Sequence, residues 1–166
     1  FPGADLDDLN RQAERYEPAT ALAYPLVSTG ERFPFVAPQA QGFLLGTPAD
    51  DGDRFAAVLQ GVAFVERLCF DHLDLLGAPL DGDLVLTGGA TRSAYWCRLR
   101  ADVLGRPITL PENAEPALGM AVLAASPGRD AADVAAGMVR VREVVEPSPG
   151  GAERFAEPYV RFVDEL

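Results

Sequence analysis

The stretch LVLTGGATRSAYWCRLRADVLGRPITLPE, Leu84–Glu112, decides the reading of this chain. An apolar run stops at two glycines and a helix with mixed faces follows at once. Glycine at 88 and 89 permits positive φ and removes Cβ, so a ligand can approach the backbone. A helix starting near Thr91 offers free N–H groups and the positive end of its dipole. The same pattern serves a plain tight turn with Thr91 or Ser93 as a cap. The local sequence leaves both readings open.

Composition narrows the partners. The chain has 166 residues, 48% hydrophobic, a formal charge of −11 and a pI near 4.4. That length and apolar content suffice for a core in one domain spanning residues 1–166. So acidic a surface repels phosphate backbones and anionic lipid, which argues against nucleic acid or membrane as the main partner. All 14 basic residues are Arg. No apolar stretch approaches the ~20 residues of a membrane span. No basic-plus-apolar leader is seen. Cys69 and Cys97 form no metal-ligand spacing and read as free thiols in a reducing cytoplasm.

Around the glycines, strand and helix signals alternate, which predicts an α/β fold. Helices are expected at 5–16, 53–76, 92–104, 115–125 and 130–139. A last helix, 153–166, is expected to be interrupted near Pro158. In the longest, Phe55, Val58, Leu59, Val62, Val65, Leu68, Cys69 and His72 recur at three- and four-residue spacing. Strands are expected at 21–27, 41–45, 84–87 and 108–110, with 141–145 a strand or extended arm. Leu84–Thr87 lacks alternation, as suits the interior of a parallel sheet.

Of two known phosphate-binding patterns, one fits poorly and the other is excluded. GGATRS lacks the third glycine of G-x-G-x-x-G, and no acidic residue ends a second strand ~20 residues on. A P-loop requires Lys, and there is none. The segment EPALGMAVLAA, Glu115–Ala125, adds a helix of little bulk. Such a helix either packs closely or leaves a slot for a flat ring.

These two segments in this order resemble the C-terminal region of the FGGY carbohydrate kinases, in the xylulokinase- and gluconokinase-like branch. That family shows a Gly-Gly-Gly/Ala-x-x-Ser turn, Trp, Ala-Asp-Val-Leu-Gly-x-Pro, then Ala-Leu-Gly-Ala-Ala. Upstream, STGERFPF is similar to its Ser-Gly-Glu-Arg-x-Pro-Phe segment. GFLLG and AAVLQGVAFVERL are similar to its Gly-x-x-x-Gly and Leu-Glu-Gly-Val-Ala-Phe signatures. The departures are Thr29, inserted before Gly30; Thr47, for an aliphatic residue; Gln60, for Glu; and Met120, for a small residue. The ADDGD loop is also short. The tail after Ala125 carries little resemblance.

The resemblance implies a ribonuclease H-like (actin-like ATPase) fold and transfer of the ATP γ-phosphoryl group to a sugar or polyol hydroxyl, with Mg²⁺ on the phosphates. It implies that Gly88, Gly89, Ala90, Thr91 and Ser93 meet the nucleotide and that Ala117 and Leu118 line its adenine side. It also implies that the phosphate loop, the catalytic Asp and the sugar-binding domain belong to parts of the family that this chain does not match. The chain alone is then expected to be inactive, and its opening on Phe1 reads as a fragment. A homodimer is a further expectation, since a half-enzyme exposes its interdomain surface.

The carboxylates present make poor bases. Asp50, Asp51 and Asp53 read as a solvated loop, Asp81 and Asp83 as turn caps, and Glu31 and Arg32 as partners of each other or of a neighbouring element, with a role near the cleft the lesser alternative. His72 reads as a packed or edge histidine, and Trp96 as core close to the turn. Two competing readings remain. One is a stand-alone, non-catalytic binding or assembly module that keeps the kinase fold. The other is a different strand–glycine–helix fold for some other phosphate ligand.

Overall fold

The computed structural model describes all 166 residues, Phe1–Leu166. The order is α1 (Leu6–Ala13), β1 (Leu22–Tyr24), β2 (Phe43–Leu45), α2 (Asp51–Leu75), β3 (Leu84–Val85), a 3-10 turn (Gly89–Arg92), α3 (Ala94–Leu104), β4 (Ile108–Pro111), α4 (Pro116–Ala125), α5 (Ala131–Met138), β5 (Val141–Val145) and α6 (Gly151–Asp164). This is the expected α/β class.

The long helix α2 starts where Asp50 accepts the Asp53 N–H at 2.9 Å, and Asp51 and Asp53 put negative charge in its first turn. Its inner face is mostly small, with Ala56, Ala57, Gly61 and Ala63 beside Phe64 and Leu68. The small residues let β1 lie against the helix. A Cβ on Gly61 would stand 1.9 Å from the Ala23 carbonyl oxygen, so this glycine serves a close approach. Phe64, Phe155 and Phe162 form the centre of the main core, together with Leu99, Val103, Tyr95 and Trp96. Each such aromatic burial contributes about 1.5–3 kcal/mol. Trp96 is thus core, as expected.

Buried polar groups tie the loops to this core. Gln60 accepts the Ala19 N–H at 2.9 Å and donates to the Tyr16 carbonyl at 2.8 Å. Glu17 accepts from Arg98 at 2.8 Å and from Arg154 at 2.9 Å, joining the α1–β1 loop to α3 and α6. Burial pushes the Glu17 carboxyl up, while the two guanidinium groups pull it back.

Four expectations need correction. Asp53 is not part of a solvated loop; it is fully buried and accepts from Thr20 N, Thr20 Oγ1 and Ala49 N. Two of its three contacts come from Thr20 in a distant loop, so the acidic run alone could not show the burial. Leu84–Thr87 is not interior sheet. Only Leu84–Val85 is strand, and it lies at the edge of a β3-β4-β5 sheet, parallel to β4. Leu86 continues inward, into a second core with Cys97, Ala101, Ile108 and Leu110. Helix α6 is not interrupted at Pro158. The proline removes one N–H, but it is buried beside Phe155, Tyr159 and Phe162, and that packing outweighs the lost bond. Finally, the turn before β3 is held by Arg106, whose Nη2 donates to the Gly82 carbonyl at 2.9 Å, while Asp81 and Asp83 are exposed. His72 sits half-buried with Nδ1 2.8 Å from the Leu68 carbonyl, an edge histidine as expected. Glu31 meets Arg32 only through that residue's backbone N–H; its other oxygen accepts the Tyr24 hydroxyl at 2.5 Å.

Candidate functional site

The chain leaves β3 through Leu86 and Thr87 and turns at Gly88, whose φ of +88° is open to glycine and strained for other residues. The Gly88 N–H donates to the Ala114 carbonyl at 2.7 Å, which fixes the turn against the segment before α4. The Thr91 N–H and hydroxyl both return to the Gly88 carbonyl, at 3.2 and 2.8 Å. Ser93 then caps α3 by accepting the Trp96 N–H at 3.1 Å. A 3-10 turn thus precedes α3, where the sequence predicts the helix to begin at once.

The two glycines differ in reason. Gly88 is demanded by its φ. Gly89 is crowded only by Arg92 Nη2, 3.5 Å from where a Cβ would sit, and nothing lies within 4 Å of a Cβ on Gly88. Internal packing therefore does not explain a glycine at 89. Gly89 and Ala90 are exposed and head a 3-10 turn, whose first N–H groups lack partners inside it.

Beside this turn lies an apolar cavity of about 580 Å³. Val85, Thr87, Pro111 and Asn113 form one wall, and Leu118, Gly119 and Met120 of α4 another. Ala135 and Val139 at the α5 end complete it. The volume suits a small organic ligand. Asn113 is held by accepting the Glu115 N–H on Oδ1 at 2.9 Å, which leaves its amide N–H groups for other partners.

Of the residues singled out from the sequence, Leu118 lines the cavity, and Gly88 stands at its rim, next to Thr87. Gly89 and Ala90 are exposed just beyond. Ala117 is exposed and lies outside the lining. Thr91 is buried, with its hydroxyl spent on Gly88, and Ser93 is occupied as a cap acceptor. Sequence reasoning missed Thr87, Asn113, Ala135 and Val139. Asn113 was findable as an Asx turn two residues before Glu115; the α5 residues carried no signal beyond small size. No group of three or more His, Cys, Asp or Glu side chains is placed to hold a metal ion.

A parallel β3–β4 pair, a glycine turn at its end and a low-bulk helix across a cavity make this an α/β domain, and the solved structures it superposes on are sugar kinases of the ribonuclease H-like (actin-like ATPase) fold that the resemblance implied. Residues 3–127 match the family model described as the FGGY family of carbohydrate kinases, C-terminal domain, and the chain belongs to that family. It is 34% identical over 115 residues to xylulose kinase of Escherichia coli (strain K12), covering 67% of this chain and 23% of that protein. Among solved structures it superposes on a xyloylose kinase from Brucella ovis with a TM-score of 0.82 at 29% identity, covering 98% of this chain and 35% of that one. It shares its fold with Plasmodium falciparum glycerol kinase with ADP, at a TM-score of 0.72 and 18% identity, covering 97% and 33%. The chain thus spans about a quarter to a third of the length of these relatives. No helix is long and apolar enough to cross a membrane.

Proposed function

We infer that residues 1–166 are a partial nucleotide-binding domain, the adenosine-holding part of an ATP-dependent carbohydrate kinase that phosphorylates a sugar or polyol hydroxyl. The observation that carries this reading is an exposed glycine, Gly89, two residues beyond Thr87 of the apolar cavity's lining, with no packing reason for lacking a side chain. The cavity takes a flat ring against Leu118 and Gly119. The Gly88–Ala90 backbone, with its uncrowded approach, then meets ribose or phosphate, as turns at helix starts do. Thr91 and Ser93 shape the turn rather than touch the nucleotide. Mg²⁺ neutralises phosphate charge in this chemistry; this chain supplies no carboxylate cluster for it. The base and the sugar site come from outside these residues, so the chain alone is inactive. It works in the cytoplasm, where Cys69 and Cys97 stay free. A homodimer is part of this reading.

The test is a titration with ATP followed by fluorescence of Trp96, the single tryptophan, with a Gly89→Asp variant alongside. Saturable binding at millimolar affinity, about −4 kcal/mol, that the variant loses supports the assignment. Equal behaviour of the two proteins reduces the turn to a packing device.

A further inference from the structure

Behind the glycine turn, on the α3 side of the sheet, is a second and more polar groove of about 720 Å³. Three arginines from two elements and a turn line it: Arg92 from the 3-10 turn, Arg98 from α3 and Arg142 from β5. On a chain of net charge −11 with 14 arginines in all, three around one groove is a local reversal of sign. Glu143 and Glu146 also line it, so its formal charge is +1, three minus two.

The arrangement is built rather than incidental. The β4–β5 register shifts between Leu110 and Pro111, whose partners are Glu143 and Val141, so Arg142 is the extra residue of a bulge. A bulge re-aims the side chain it carries. Here the Arg142 Nη2 donates to the Thr91 carbonyl at 3.1 Å, above the N-terminal half of α3. Arg92 is exposed and takes part in no ion pair. Arg98 is paired through Nη2 with Glu17, yet its Nε is buried without a hydrogen-bond partner. Arg98 lines the groove all the same, and a guanidinium carries five N–H donors, so its one ion pair does not exhaust it.

We propose that this groove binds a phosphate ester that also carries hydroxyl groups, its phosphate held by Arg92, Arg98 and Arg142 and its hydroxyls donating to Glu143 or Glu146. Guanidinium forks match phosphate oxygens bidentately, and only a ligand with donors of its own suits the two carboxylates at the other end. Because Arg142 also holds Thr91 of the glycine turn, occupancy bears on that turn from behind. The site is separate from the apolar cavity and does not depend on nucleotide binding there.

The test is amide NMR of the whole chain, titrated separately with inorganic phosphate and with glycerol 3-phosphate. It is repeated on Gly89→Ala, which adds a methyl group at the turn and no charge beside Arg92, and on Arg92→Gln. Saturable shifts at Ala94, Cys97 and Val144 are expected with both ligands, and at lower concentration with the ester. They should persist in Gly89→Ala and weaken about tenfold in Arg92→Gln, the value of one charge-assisted contact. Tighter binding of the ester supports the full proposal, and equal binding reduces it to a plain phosphate site. Shifts confined to the glycine turn, shifts indifferent to Arg92→Gln, or none at all overturn it.

Discussion

The Asp102 carboxylate on α3 lies where a side chain on Gly151, the first residue of α6, would have to go: Oδ1 stands 2.6 Å from an ideal Cβ there. Asp102 is fully buried and accepts the Ser148 N–H at 2.5 Å, so it pins the segment that leads from β5 into α6. The other oxygen, Oδ2, is buried without a partner. Gly151→Ala is expected to destabilise the chain by about 1–3 kcal/mol, the cost of overpacking a filled site. Asp102→Ala is expected to cost a similar amount by orphaning the Ser148 N–H. The double variant should cost less than the two singles together, since the clash is removed with the carboxylate. Urea denaturation of the four proteins measures this, and strict additivity would refute the contact as the cause.

Gln60 stands where the family usually has Glu, and its amide does two jobs that a carboxylate cannot share. It accepts from Ala19 and donates to Tyr16. Gln60→Glu is expected to cost about 1–3 kcal/mol at pH 8, because an ionised carboxylate is buried and faces the Tyr16 carbonyl. The introduced carboxyl would have a folded pKa raised above its unfolded value of about 4.3. Stability relative to wild type is therefore recovered below about pH 4.3 and lost as pH rises through the folded pKa. Denaturation at pH 4 and pH 8 distinguishes this from a fixed steric cost, which would give the same loss at both.

How far these relations were legible differs by residue. The extent of α2 and the glycine turn were readable because spacing and Gly–Gly punctuation are local, but the buried face of α2 was not: Ala56, Ala57, Gly61, Ala63 and Phe64 form it, while Val62, on the face the spacing points to, is exposed. Trp96 followed from helical position alone. Asp53, Gln60 and Asp102 were not readable, since their partners Thr20, Ala19 and Ser148 come from loops 33, 41 and 46 residues away. The unbroken apolar run at Leu84 predicts an interior strand because such a run looks alike at an edge and in the middle. The far wall of the cavity, Ala135 and Val139, lies in an alanine-rich helix whose periodicity is weak. The bulge that aims Arg142 belongs to register, which no local pattern specifies.

Tyr24 and Glu31 offer a pH test at a contact where a core tyrosine reaches a surface carboxylate. The Tyr24 hydroxyl, together with the Arg32 and Phe33 N–H groups, holds the Glu31 carboxyl below its ordinary value, and Tyr24 is itself pushed up by burial and by Glu31. A depressed carboxyl contributes stability above its unfolded pKa and loses it as pH falls through the folded one. Tyr24→Phe removes the largest of the lowering contacts, so the Glu31 pKa is expected to rise towards the ordinary carboxylate range. An NMR titration of the Glu31 side chain reads this directly. An unchanged pKa would mean that the backbone N–H groups alone set it.

The two glycines of the turn separate conformation from ligand approach. Gly88 has φ +88°, so Gly88→Ala places a side chain in a left-handed conformation and is expected to cost about 1–2 kcal/mol whether or not a ligand binds. Gly89 has an uncrowded Cβ position. Gly89→Ala is therefore expected to leave stability within about 0.5 kcal/mol of wild type, as an ordinary surface change does. If the nucleotide approaches this backbone, the same methyl group stands in its path and ATP affinity falls. Thermal denaturation with and without ATP gives both readings from one set of samples. A Gly89→Ala protein with wild-type stability but a smaller ATP-induced rise in Tm is the expected result. An undiminished rise would show that ATP, if bound, does not approach at Gly89, and a large loss of stability would show that the glycine serves the fold.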